Sequence, residues 1–168
     1  MRRGGGKSKG ASFEREICRR LSLWISKGQQ EDVYWRSSMS GGRSTVAAKR
    51  GKRLAAQAGD ISCIHPVGQP FADKFYIECK DYHDLNFIGL LKGTGNLVQF
   101  CGETVVQARN YNKLPLLIAH QARQPIIGCF STVGLSLDDF SVVMSAPRLD
   151  LWIVLFEELL KHDVADYL

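Results

Sequence analysis

A chain of 168 residues with 45% hydrophobic and 23% charged residues has the length of one domain with a proper core and the composition of a soluble globular protein. No apolar run approaches the ~20 residues of a membrane-spanning helix, and the basic start over residues 1–9 lacks the apolar stretch of a secretory signal. Charge is uneven: residues 1–53 hold 14 Lys/Arg against 4 Asp/Glu, and residues 54–168 hold 8 against 13, a basic front that suits either a polyanionic partner or a solubilising tail with a solvated loop.

Residues 1–10, rich in Gly, Lys, Arg and Ser, read as a basic tail that stays disordered until it meets a partner. Apolar periodicity predicts a first helix over residues 11–26, with Ser12 as a cap and Gly28 near its end. Residues 33–36 read as a short strand. The Ser-, Gly- and Ala-rich stretch 37–58 carries Arg43, Lys49, Arg50, Lys52 and Arg53, and it is too long for an idle connection. Strands are expected over 60–65 and 75–80, joined by a turn containing Pro66, Gly68 and Pro70. Gly89, Gly93 and Gly95 break any regular element over 81–96. A helix over 97–112 and a strand over 116–120 follow, then strands over 126–130 and 140–144. A helix over 151–161 closes the chain, apolar enough to be either core or a dimer contact. The simplest assembly is one α/β domain over residues 11–168, with a basic loop at 37–58.

Alternate residues on a strand share a face. On the strand expected over 75–80, Phe75, Ile77 and Cys79 therefore point one way, and Tyr76, Glu78 and Lys80 the other. A carboxylate and an ammonium on so apolar a strand are costly to desolvate unless something uses them. Asp60, at the head of the preceding strand, supplies a second carboxylate. Two oxygen donors beside a lysine form a hard-cation site next to a group that orients or deprotonates water, the pattern of a Mg²⁺-dependent nuclease. A salt bridge across an exposed strand edge is the plainer alternative for Glu78 and Lys80. On the first helix, Glu14 falls in the middle of the apolar arc formed by Phe13, Ile17, Cys18, Leu21, Trp24 and Ile25, while Glu16 falls outside it. The helix dipole favours acids near a helix start. It does not explain an acid among the apolar residues, so a site role is favoured for Glu14 and a surface one for Glu16.

In this order, Phe13-Glu14-Arg15-Glu16, Arg36-Ser37-Ser38, Gly59-Asp60 and Glu78-Cys79-Lys80 resemble the PD-(D/E)XK nuclease superfamily. Within it, Lys9-Gly10-Ala11-Ser12-Phe13-Glu14-Arg15-Glu16 and the Arg-Ser-Ser segment are similar to archaeal-type Holliday junction resolvases. The likeness covers residues 9–82 and thins beyond them. It implies a restriction-endonuclease-like α/β core, a central mixed sheet flanked by helices. It implies Mg²⁺ or Mn²⁺ on Asp60, Glu78 and the Cys79 backbone carbonyl, joined by Glu14 directly or through water, with Lys80 positioning the attacking water or stabilising charge on the phosphate. It implies hydrolysis to a 5′-phosphate and a 3′-hydroxyl, branched DNA such as a four-way junction as substrate, and a homodimer. In that frame Arg36, Ser37, Ser38 and Ser40 lie beside the reacting phosphate, or they form an ordinary turn, and Arg43, Lys49, Arg50, Lys52 and Arg53 bind DNA phosphates. The loop of about 20 residues before Asp60 departs from those resolvases, which reach their Asp soon after the Arg-Ser segment.

Gln107 and Tyr111 match a Gln-x-x-x-Tyr helix motif of RecB-like branches of the superfamily; plain packing is the favoured reading of that pair. Five scattered cysteines without a C-x-x-C pair read as reduced thiols, and four scattered histidines offer no zinc ligand set. The chain is expected to be a DNA-associated protein of the cytoplasm. Alternatives within reach are a restriction- or repair-type nuclease on duplex or single-stranded DNA, and a non-catalytic nucleic-acid-binding module. Retention of Glu14, Asp60, Glu78 and Lys80 together argues against the last.

Overall fold

The computed structural model describes residues 5–37, 59–131, 133 and 141–168. Helix α1 (Gly5–Ile25) is followed by strands β1 (Tyr34–Arg36) and β2 (Ile61–Cys63), helix α2 (Gln69–Lys74) and strand β3 (Phe75–Asp81). Helices α3 (Phe87–Lys92) and α4 (Asn96–Asn110) lead to strands β4 (Leu114–His120), β5 (Ile127–Phe130), β6 (Val142–Ala146) and β7 (Leu151–Leu155), then the short helix α5 (Phe156–Leu159).

Five strands form one mixed sheet in the order β3-β4-β5-β7-β6. The β3–β4 pair is parallel and the other pairs are antiparallel. A parallel pair needs a long crossover, which α3 and α4 provide. On one face of the sheet, Phe13, Ile17, Leu21 and Ile25 of α1 share a buried cluster with Phe75, Ile77 and Cys79. On the other, Leu97, Cys101 and Val105 of α4 pack with Leu117, Ala119 and Cys129. The result is the expected restriction-endonuclease-like arrangement, a mixed sheet between helices. Strands β1 and β2 pair antiparallel in a separate two-stranded sheet. All five cysteines are free thiols, and among the described residues no helix is long and apolar enough to cross a membrane.

Several elements depart from the sequence reading. The helix expected over 151–161 is mostly a strand: β7 runs through Leu155, between β5 and β6, and only Phe156–Leu159 is helical. An apolar run of that length suits a buried strand as well as a helix face. β-branched Ile153 and Val154 favour the strand. Its apolar excess is core on both faces of the sheet, Val154 on the α1 side and Leu151 and Ile153 on the α4 side. Helix α1 begins at Gly5, ahead of the expected Ala11, and so takes in part of the expected basic tail. The Pro66–Pro70 stretch holds a 3₁₀ turn and the start of α2. Both prolines sit in first turns, where a missing N–H leaves no helical bond unmade. The glycine-broken stretch 81–96 contains α3, which Asn86 caps by accepting from the Gly89 N–H at 3.0 Å and which ends at Gly93 in left-handed conformation, φ 69°.

Candidate functional site

The two faces of β3 separate as its alternation requires. Phe75, Ile77 and Cys79 enter the core under α1, while Tyr76, Glu78 and Lys80 face the α4 side. There Lys80 Nζ donates to Glu78 Oε1 at 2.6 Å, and the Tyr76 hydroxyl donates to Glu78 Oε2 at 3.2 Å. The Lys80 ammonium also lies 5.7 Å from the centre of the Phe100 ring on α4, within cation–π range.

Asp60 reaches this strand through Gly59. Gly59 pairs with Ile77 in a parallel bridge at φ +88°, and a Cβ there would lie 2.3 Å from the Ile77 carbonyl oxygen. Only glycine permits that approach. The Asp60 N–H then donates to the Ile77 carbonyl at 2.9 Å, the Cys79 N–H donates to Asp60 Oδ2 at 3.0 Å, and the Ser37 N–H donates to the Asp60 carbonyl at 2.7 Å. Asp60 is thus buried with its carboxylate fixed against β3. Burial first, then the charge of Glu78, push its pKa up to about 7; Glu14 adds a smaller push, against the Cys79 N–H and Lys80. For Lys80, burial opposes the ammonium, but the charge and hydrogen bond of Glu78 outweigh it and hold its pKa above the usual range.

Glu14 projects from α1 into the same neighbourhood. It is largely buried and paired with the Arg36 guanidinium at the end of β1. The charges of Glu78 and Glu14 therefore both act on Asp60, with Lys80 and Arg36 as the nearby cations. Glu78 and Glu14 are turned toward those cations, and among the described residues no three His, Cys, Asp or Glu side chains stand ready-arranged around a metal position. The donor chemistry nevertheless fits a hard divalent ion: oxygen ligands only, and a buried carboxylate whose charge is opposed by its surroundings until a cation arrives.

Of the other expected residues, Arg36 and Ser37 lie beside this group, Ser37 buried and bound through its N–H. Ser38, Ser40, Arg43, Lys49, Arg50, Lys52 and Arg53 fall outside the described residues. Gln107 is exposed on α4. Tyr111 stacks on Tyr76 with ring centres 5.8 Å apart, and Tyr76 in turn donates to Glu78. Glu16 is exposed. Two contributors escaped the sequence reading as site residues. Tyr76 was signalled by its place two residues before Glu78 on the same face, and Gly59 by its place directly before a buried acid.

A family model described as "phage putative PDDEXK endonuclease" matches residues 5–146, which span every element from α1 to β6. No curated protein and no solved structure matches the chain.

Proposed function

The chain belongs to the phage PDDEXK endonuclease family, and from that premise we propose that it is a metal-dependent endonuclease that hydrolyses phosphodiester bonds of DNA at Asp60, Glu78 and Lys80. The observation that carries this is the buried Asp60 carboxylate, clamped by the Cys79 N–H beside Glu78 and pushed up to about 7. So costly an arrangement of like charges persists where a cation is meant to enter it. Asp60, Glu78 and the Cys79 carbonyl would hold Mg²⁺ or Mn²⁺, with Glu14 directly or through water. The ion supplies activation of water at neutral pH and neutralisation of charge at the phosphate.

The remaining work falls to the chain itself. Lys80, oriented by Glu78 and the Phe100 ring, carries its positive charge to the phosphate oxygens or to the attacking water. Tyr76 steadies Glu78 through its hydroxyl. Arg36, held at the site's margin by Glu14, adds positive charge where the DNA backbone passes. Within this activity we take a branched, four-way DNA junction cut by a homodimer as the substrate. The likeness of the Phe13–Glu16 and Arg36–Ser38 segments to archaeal-type resolvases supports the junction, and paired cuts call for two-fold related sites.

The test is cleavage of a labelled four-way junction and a matched linear duplex, in Mg²⁺ and in EDTA, by the parent chain and Glu78→Ala. Metal-dependent, junction-selective cutting lost in the variant is the expected result. Equal cutting of both DNAs removes the junction specificity and keeps the nuclease. Binding without cutting in any divalent metal leaves only a nucleic-acid-binding module. Independently of turnover, Mg²⁺ should raise the melting temperature of the parent and not of Glu78→Ala.

A further inference from the structure

Beside the site, α1 and β1 enclose a cleft of about 440 Å³ whose lining includes Trp35 and Arg15. That volume is within the ~300–1,000 Å³ of small-molecule sites and admits one nucleobase. Trp35 is 57% exposed, whereas Trp24 is partly buried and donates its indole N–H to the His162 carbonyl at 2.9 Å. The exposed ring stands on a rigid base. Its neighbour Tyr34 is buried, with its hydroxyl donating to the Gly68 carbonyl at 2.8 Å and its N–H donating to Ser22 Oγ at 2.9 Å. Immediately after Trp35, Arg36 pairs with Glu14 and the Ser37 N–H binds Asp60. The ring therefore sits two residues along the backbone from a group bound to the proposed metal ligand.

Charge completes the arrangement. Arg15, Arg19 and Arg36 line the cleft against Glu31 and Asp32. Arg19 is engaged by Glu31 at 2.7 Å and Arg36 by Glu14. Arg15 is exposed, donates to Ser12 Oγ at 3.2 Å, and has no carboxylate partner among the described residues. An exposed aromatic face in a cleft that also holds a guanidinium without a carboxylate partner among the described residues has the chemistry that recognises an unpaired base and its phosphate, since every base has a face to stack and every link carries one negative charge.

We propose that Trp35 and Arg15 form a seat for an unpaired DNA base and its phosphate next to the hydrolytic site, so that the preferred substrate is DNA with a single-stranded nucleotide at or beside the cut. This rests on the nuclease reading above and adds the residues that select the strand. An unpaired nucleotide is available at a fork, a flap or a single strand, and at a four-way junction where a base pair at the crossover opens; it is absent from the interior of a continuous duplex.

The seat is tested without cutting, in EDTA, by titrating an oligothymidylate and an abasic oligodeoxynucleotide of equal length while following tryptophan emission. The oligothymidylate should quench the emission and bind about tenfold more tightly than the abasic strand. Trp35→Ala should bring its affinity down to the abasic level. Trp35→Phe, which keeps a ring, should retain most of the affinity and lose the quench. Arg15→Ala should weaken both strands and reduce the salt slope by about one. Equal binding of the two strands by the parent overturns the proposal, as does unchanged affinity in a Trp35→Ala variant that melts like the parent. A chain that binds bases through Trp35 but cuts nothing in Mg²⁺ or Mn²⁺ sinks the nuclease reading and leaves the seat. A chain that cuts but binds the two strands alike does the reverse.

Discussion

The two faces of β3 carry the same backbone and opposite burdens. On the α1 face Phe75, Ile77 and Cys79 are buried among apolar neighbours, and each contributes stability by leaving water. On the α4 face Tyr76, Glu78 and Lys80 satisfy one another by hydrogen bonds next to a buried Asp60 whose ionisation the fold opposes. One face holds the strand in place so that the other can keep charges where they are unfavourable. Stability and chemistry are therefore separable here by a single residue step.

Substitutions on the two faces should separate the same way. Glu78→Ala and Asp60→Asn should each reduce DNA cutting by about 10²–10³-fold or more, measured as single-turnover cleavage in Mg²⁺. In EDTA, Asp60→Asn should melt no lower than the parent, because it removes a charge whose burial is unfavourable while an amide oxygen can still accept from Cys79. A large drop in melting temperature would mean that Asp60 serves the fold rather than the reaction. On the other face, Phe75→Ala should lose about 3–5 kcal/mol of stability in urea denaturation, with the folded fraction cutting at the parent rate. Loss of cutting in the folded fraction would show the faces to be coupled.

Gly59→Ala lies between the two. Its Cβ would meet the Ile77 carbonyl at 2.3 Å, at a φ of +88°. A loss of about 1–3 kcal/mol is expected, together with weaker cutting, because Asp60 moves with the residue before it. Intact activity would show that the clamp on β3 tolerates displacement. Tyr76→Phe is the smallest change. It removes the hydroxyl bound to Glu78, worth about 0.5–1.5 kcal/mol, and should slow cutting a few-fold. An unchanged rate would assign Tyr76 to packing against Tyr111 alone.

Much of this is legible in the sequence wherever the signal is local. Period-two alternation separates Glu78 and Lys80 from Ile77 and Cys79 because side-chain direction along a strand is set by the backbone itself. Helical periodicity likewise set Glu14 among apolar residues of α1 and left Glu16 outside. The central error, a helix over 151–161, lies where local signals are ambiguous: a short apolar run buried on both faces has no period to read. Only placement between β5 and β6 makes residues 151–155 a strand.

Fold class, the order of most elements and the residue types suited to hydrolysis follow from local pattern alone. How those residues meet follows from folding: Asp60 is clamped by the Cys79 N–H, Glu14 is engaged by Arg36 from another element, Tyr111 is a stacking partner of Tyr76, and Trp35 is left exposed in a cleft that Arg15 also lines. Range separates the two. Propensity and alternation act within a few residues, whereas burial, charge–charge interaction and exposure depend on distances between segments that the chain brings together only by folding.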